Sequence, residues 1–211
     1  MRFPMSFNGF TQHDFNTFKI EGLENRMEAI RERIQPKFKM IGEDMTHYLT
    51  ELLQTEMHLH VAQHARRTVN APNDTWSAYC HNKRGYKKHP HFQIGLFDDR
   101  LFVWLAFIYE LPYKKEIAEL FLGHLDDLNE TIPSDYVISM DHMKKDATPM
   151  NGIDLQATLE RFKDVKKAEL LIGKQFDTMD PLLQDGEQLV NEIKRIYQTL
   201  APIYSLSFQL L

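Results

Sequence analysis

The chain has 211 residues, of which 43% are hydrophobic and 26% charged, with a formal net charge of −5 and a pI near 6.1. These values fit one ordinary globular domain with a sizeable core, and they exclude any general attraction of the chain to nucleic acid, so such binding has to be local. The only cysteine, Cys80, rules out an internal disulfide and a cysteine-rich metal site, and suits a reducing cytoplasm.

No segment reads as a leader or a membrane span. The N-terminal stretch MRFPMSFNGF lacks an apolar run of signal length, and the longest such run, Leu101 to Tyr109, has nine residues. Roughly 20 are needed to cross a bilayer. A soluble, cytoplasmic protein with no membrane partner is expected.

Thr11 and Asp14 form a capping pair for a short helix over 12–17. Leu23, Met27, Ile30, Ile34, Phe38, Ile41, Met45, Tyr48 and Leu52 recur every three or four residues, which predicts a helix over 23–54 with one apolar stripe. Pro36 and Gly42 lie inside it and predict a kink or a break. From Glu56 the period changes to two, as in a half-buried strand, and Thr75 to Cys80 reads as a second strand. His91–Asp98 and Arg100–Glu110 read as a hairpin turning at Asp98-Asp99, whose second arm is apolar on both faces and therefore central. Pro112 opens a helix carrying Ile117, Leu120, Phe121, Leu125 and Leu128, with His124 on its apolar face read as a core histidine. A strand at Tyr136–Met140 follows, then a helix capped by Asp154 and a strand near Glu169–Phe176. Asp180-Pro181 starts a helical turn, and a last helix carries Leu189, Ile193, Ile196 and Leu200 and is disturbed at Pro202. The loop at 142–153 is too short to mark a boundary. Helices and strands mix without a βαβ rhythm, so the chain reads as a single α+β domain, 1–211, with a mainly antiparallel sheet, a central hairpin at about 91–110 and several packed helices.

The most informative stretch is His58 to His91, HLHVAQHARRTVNAPNDTWSAYCHNKRGYKKHPH. It holds six of the ten histidines, six Lys or Arg and one acid, Asp74, so it carries +5 against −10 for the remainder. Such a reversal of sign suits an anion. Arg66, Arg67, Lys83, Arg84, Lys87 and Lys88 supply charge-assisted donors for phosphate or carboxylate, and Trp76, Tyr79 and Tyr86 supply rings for stacking. Gly85 lets a turn approach a ligand closely. The plain alternative is a surface segment that pairs with the acidic remainder of the chain.

The same histidines admit other readings. His58 with His60 suits a strand face and His60 with His64 a helix face, while His89 and His91 flank Pro90 on one side of a strand. These geometries exclude one another in part, no HExxH or Cys/His array occurs, and the neighbouring cations disfavour a divalent ion, so no metal is assigned. Asp141 and His142 are sequence neighbours and point apart, which makes them a poor dyad. Cys80 reads as a packing residue, although a basic setting would lower a thiol's pKa. Neither GxSxG, nor a P-loop, nor a dinucleotide-binding glycine pattern is present, and no cofactor is implied.

Taken together, HVAQHARRTVN with the following NDTW (60–76), KRGYKKHPHFQIGLF (83–97), VKKAELLIGKQF (165–176) and the helix LENRMEAIRERIQPKF (23–38) resemble the uncharacterised bacterial family typified by the YktB protein. The resemblance spans essentially the whole chain. It implies a single α+β domain in a cytoplasmic protein of low-GC Gram-positive bacteria, and it implies no activity, cofactor or site residue.

The leading expectation is therefore a binding module for a phosphate-bearing or other anionic ligand. Arg66, Arg67, Lys83, Arg84, Lys87 and Lys88 would contact it and Trp76 or Tyr86 would stack, with nucleic acid favoured over a phosphorylated small molecule as partner. The alternatives are an enzyme with an acid–base pocket near His60, His64 and His91, and a scaffold or protein-interaction role that an exposed apolar patch would support.

Overall fold

The structure, a computed structural model, describes residues 7–209; residues 1–6, part of the stretch read for a leader, lie outside the described residues. Seven strands form one sheet in the order β1 (His58–Val61), β2 (Thr75–Cys80), β3 (His91–Leu96), β4 (Arg100–Phe107), β7 (Leu170–Asp177), β5 (Val137–Ser139), β6 (Thr148–Pro149). Every neighbouring pair is antiparallel. The expected hairpin lies at its centre: β3 and β4 pair from His91↔Ala106 to Leu96↔Leu101, and the Phe97 N–H closes the turn on the Arg100 carbonyl at 2.9 Å. β4 is flanked by β3 and β7 and buried along nearly its whole length, which is why its sequence shows no polar alternation.

Strand alternation divides the core. Phe92, Ile94 and Leu96 of β3 and Leu101, Val103, Leu105 and Phe107 of β4 face the layer of helices. That layer comprises α1 (Gln12–Phe15), α2 (Leu23–Ala29), α3 (Gln35–Leu53), α4 (Lys114–Gly123), α5 (Leu125–Thr131), α6 (Leu155–Asp164) and α7 (Gly186–Leu206). The opposite face carries a smaller cluster, Trp76, Ala78, Phe102, Trp104, Ala106 and Leu171, against which Ala62, Tyr86 and Ala147 pack from connecting segments. On this face, loops rather than helices position the side chains, and the candidate site lies here.

Caps expected from sequence are in place. The Thr11 N–H donates to Asp14 Oδ2 at 2.7 Å, the Ala157 N–H to Asp154 Oδ1 at 2.9 Å and the Leu182 N–H to Asp180 Oδ1 at 2.9 Å. Other expectations change. The 23–54 helix does not break at Pro36; residues Ile30–Ile34 widen into a π-helical turn, which accommodates the hydrogen bond that proline cannot donate. Gly42 causes no break either. A Cβ there would lie 2.4 Å from Leu59 Cδ2, so this glycine lets α3 approach β1. The helix after Pro112 is two helices, α4 and α5, and His124 sits at their junction, partly exposed, with Nδ1 2.8 Å from Asp127 Oδ2, not in the core. α7 runs through Pro202 to Leu206, held by the buried Tyr197, Leu200, Ile203 and Tyr204 on either side. The 142–153 loop contributes the short strand β6.

Candidate functional site

A cleft of about 620 Å³ opens on the loop-covered face at the β1–β2 edge, within the usual size range of small-molecule sites. β1 presents His60 opposite Ala78, and β2 presents Trp76 on the same face. Beyond β2, Gly85 takes φ +67°, a left-handed conformation that starts a tight turn through Tyr86, Lys87 and Lys88. The turn swings Tyr86 over the strands: its hydroxyl accepts the Trp76 Nε1–H at 2.8 Å, and its ring lies 5.0 Å from those of both His60 and His91. Lys87 Nζ stands 5.5 Å from the Trp76 ring centre, a cation–π contact, and 4.0 Å from Glu110 Oε1.

The cleft collects six of the eight residues expected to meet an anion: Arg66, Arg67, Trp76, Tyr86, Lys87 and Lys88. His60 and His64 line it with them. Three expectations need correction. Lys83 and Arg84 do not line the cleft; they sit exposed on the turn after β2, where the Arg84 N–H is held by Asn82 Oδ1 at 3.0 Å. His91 is fully buried behind Tyr86, with Nδ1 donating to the His89 carbonyl at 2.8 Å and Nε2 accepting from the Gln93 amide at 2.8 Å. Both its nitrogens are therefore occupied. Tyr79, the third candidate ring, points into the helix-side core.

The histidines contribute little positive charge. Burial lowers the pKa of His60, against the opposing pull of the Asn82 carbonyl that its Nε2 contacts at 2.9 Å. Burial, with Arg67 and Lys87 nearby, lowers His64 to about 4, and burial takes His91 to about 3. His64 also holds φ +50°, a conformation uncommon for a residue with a side chain, with Nε2 3.1 Å from Thr75 Oγ1 and its ring edge-on to Trp76. The cations of the cleft are thus its arginines and lysines. Cys80 is buried and its thiol is pushed up to about 11, so the basic surroundings do not activate it.

Two features of this face were not read from the sequence. Asp74 is 2% exposed, and its Oδ2 has no hydrogen-bond partner among the described residues. Burial raises its pKa to about 6, offset in part by His142, Arg67 and Lys87. His142 forms a dyad not with its neighbour Asp141 but with Glu169. Nδ1 donates to the buried Glu169 carboxylate at 2.8 Å, and the His142 backbone N–H donates to the same carboxylate at 2.7 Å. The ring lies edge-on to Trp76 at 6.4 Å. Glu169 lies 27 residues away and is brought over by the pairing of β5 with β7, a long-range contact with no local signature. Asp141, His142 and Glu169 can bring ligand atoms within 4.8 Å of one another, but Glu169 already engages His142, and Lys144 lies 3.6 Å from Asp141. These three residues fit an internal hydrogen-bond network better than a cation site.

The model of a domain of unknown function, DUF1054, matches residues 10–204. A UPF0637 protein of Shouchella clausii is 58% identical over 96% of this chain and 96% of its own length. One of Oceanobacillus iheyensis is 54% identical over 95% and 97%, and one of Listeria monocytogenes 49% identical over 97% and 100%. The resemblance to an uncharacterised bacterial family is borne out. Among the described residues, no helix is long and apolar enough to cross a membrane.

Proposed function

The chain belongs to the DUF1054 family of domains of unknown function, and from its cleft we propose that it binds a small anionic molecule, with phosphate or carboxylate groups held by Arg66, Arg67, Lys87 and Lys88 and a planar group packed on Trp76 and Tyr86. One observation carries this reading: four cations and two hydrogen-bonded rings converge on a single cleft of about 620 Å³ in a chain of net charge −5. The exclusion of Lys83 and Arg84 from that cleft favours a compact ligand over a nucleic-acid strand, which would need cations strung along a groove.

Calorimetric titration with pyrophosphate, ATP and a single-stranded oligonucleotide tests the reading. ATP and pyrophosphate are expected to bind and to weaken as salt rises. Reversing Arg66 and Arg67 to Glu is expected to weaken both by about tenfold or more, since each charge-assisted hydrogen bond lost costs ~1.5–3 kcal/mol. Isotherms indifferent to salt, or to the double reversal, would refute it, and binding confined to the oligonucleotide would turn it towards nucleic acid.

A second reading, acid–base catalysis on the bound anion, is favoured by the His142–Glu169 dyad beside Trp76 and by the unpartnered Oδ2 of Asp74, which feels the charge of His142. It requires that His142→Asn abolish turnover of a cleft substrate while leaving its binding intact. If turnover survives that substitution, the dyad is structural.

A further inference from the structure

Beside the basic cleft lies a second cavity of about 250 Å³ at the strand ends, walled mainly by Pro90, Leu111, Pro112, Ile117 and Phe208. The polar groups on its lining are largely engaged with one another. His81 Nδ1 is 3.3 Å from the Tyr204 hydroxyl, and the His81 ring packs edge-on against both His89 and Phe208 at 4.8 Å. Lys88 alone brings a formal charge, and Lys88 lines the basic cleft as well. The same two segments border both spaces. Lys87 and Glu110, 4.0 Å apart, border the cleft, and the residues that follow each of them, 88–90 and 111–113, border the cavity.

We infer that the cleft and the cavity are two halves of one site, which takes a monomeric amphiphile with an anionic head and a short alkyl tail. This rests on the anion-binding reading of the cleft and names the class of ligand that fits it. Three arguments carry it. The walls are mostly apolar carbon, so an alkyl group that enters displaces water from apolar surface and gains by it. The charge is one-sided: the cleft sets Arg66, Arg67 and Lys87 against the single acid Glu110, while the cavity holds only the shared Lys88. The volume sets a length, because at about 30 Å³ for a water-sized group a cavity of 250 Å³ takes about eight methylenes.

The test uses the full chain and sodium alkyl phosphates of increasing length, kept below their micelle-forming concentrations, with butyl phosphate and octanol as references. Each added methylene is expected to tighten binding roughly fourfold, up to about eight carbons, after which the gain levels off. Thr55 is exposed and lines the cavity, so Thr55→Trp is expected to flatten this dependence while leaving pyrophosphate, which carries no tail into the cavity, bound as tightly as by the wild type. Arg66→Glu with Arg67→Glu should weaken every alkyl phosphate by a common factor and leave the slope intact. If butyl phosphate binds with no gain from longer chains, the two-part site is overturned and the anion-binding reading stands. If no phosphate binds at any length, both fall. Binding to vesicles containing phosphatidic acid, with none to monomeric octyl phosphate, would also overturn the proposal, since it would mark a membrane-facing surface.

Discussion

Asp74→Asn should stabilise the protein at neutral and alkaline pH and much less in acid. The Asp74 carboxyl is 2% exposed with an unpartnered Oδ2, and its pKa rises from 3.8 in the unfolded chain to about 6 in the fold. A carboxyl raised on folding binds its proton more tightly in the native state, so between these two values the folded protein holds more protons and loses stability as pH rises. Below the unfolded value the penalty is absent; above the folded value it is complete. At ~1.4 kcal/mol per unit, the charged form costs about 3 kcal/mol at pH 8 and about 1 kcal/mol at pH 4.5. The carboxamide cannot ionise, but it leaves an unpaired amide whose cost does not change with pH. The informative quantity is therefore how the difference between variant and wild type changes with pH. Urea unfolding of both proteins at pH 8 and pH 4.5 should show the variant gaining about 2 kcal/mol on the wild type between the acid and alkaline conditions. A difference independent of pH would mean that Asp74 has an ordinary affinity for protons in the fold, and the reasoning would fail.

Lys114 is 9% exposed, and its ammonium donates to the carbonyls of Val165, Lys166 and Ala168 at 2.6, 3.2 and 3.1 Å. Lys114→Met keeps most of the volume and strands those carbonyls, so urea unfolding should show a loss of about 3 kcal/mol; a loss under 1 kcal/mol would mean that water replaces the ammonium. Cys80 should react with a thiol reagent only after denaturation, because burial both shields it and pushes its pKa to about 11; fast labelling of the native protein would contradict that packing. Gly42→Ala should cost about 1–3 kcal/mol despite the better helix propensity of alanine, since its Cβ meets Leu59 at 2.4 Å. Adding Leu59→Ala should relieve the clash, and an unchanged penalty in the double variant would place the cost elsewhere.

Much of this architecture follows from local pattern. The clean alternation of Phe92, Ile94 and Leu96 and the doubly apolar Leu101–Tyr109 were enough to place the central hairpin, because sheet burial imposes those patterns residue by residue. Arg66, Arg67, Lys87 and Lys88 stood out through charge, and β1, β2 and the turn at Gly85 bring them to one cleft. Legibility ended where one position answers to two constraints. Gly42 looked like a helix breaker because the approach of Leu59 comes from a strand outside the helix. His91 looked like a cleft residue because its alternation shows which face it occupies but not that Tyr86 covers it. Among neighbours His142 has only Asp141, a poor dyad, whereas β-sheet pairing delivers the carboxylate of Glu169.

The depressed histidines and the raised Asp74 together dictate how the cleft should respond to pH. His64 lies at about 4 and His91 at about 3, so neither gains a proton between pH 9 and pH 6, and burial lowers His60 as well. Arginine and lysine keep their charge throughout this range. Asp74 is the exception: near pH 6 it loses its charge as the solution is acidified, which removes the negative partner that Arg67 and Lys87 feel. A probe of fixed charge isolates the effect, because a phosphate monoester itself titrates near pH 6. Affinity for 4-nitrophenyl sulfate should accordingly be flat from pH 9 to pH 7 and rise as pH falls through 6. In Asp74→Asn the rise should vanish and the affinity at pH 8 should match or exceed that of the wild type. A rise that survives Asp74→Asn would show a histidine acquiring charge in the cleft, and it would move the recognition of the anion from the arginines to an imidazolium.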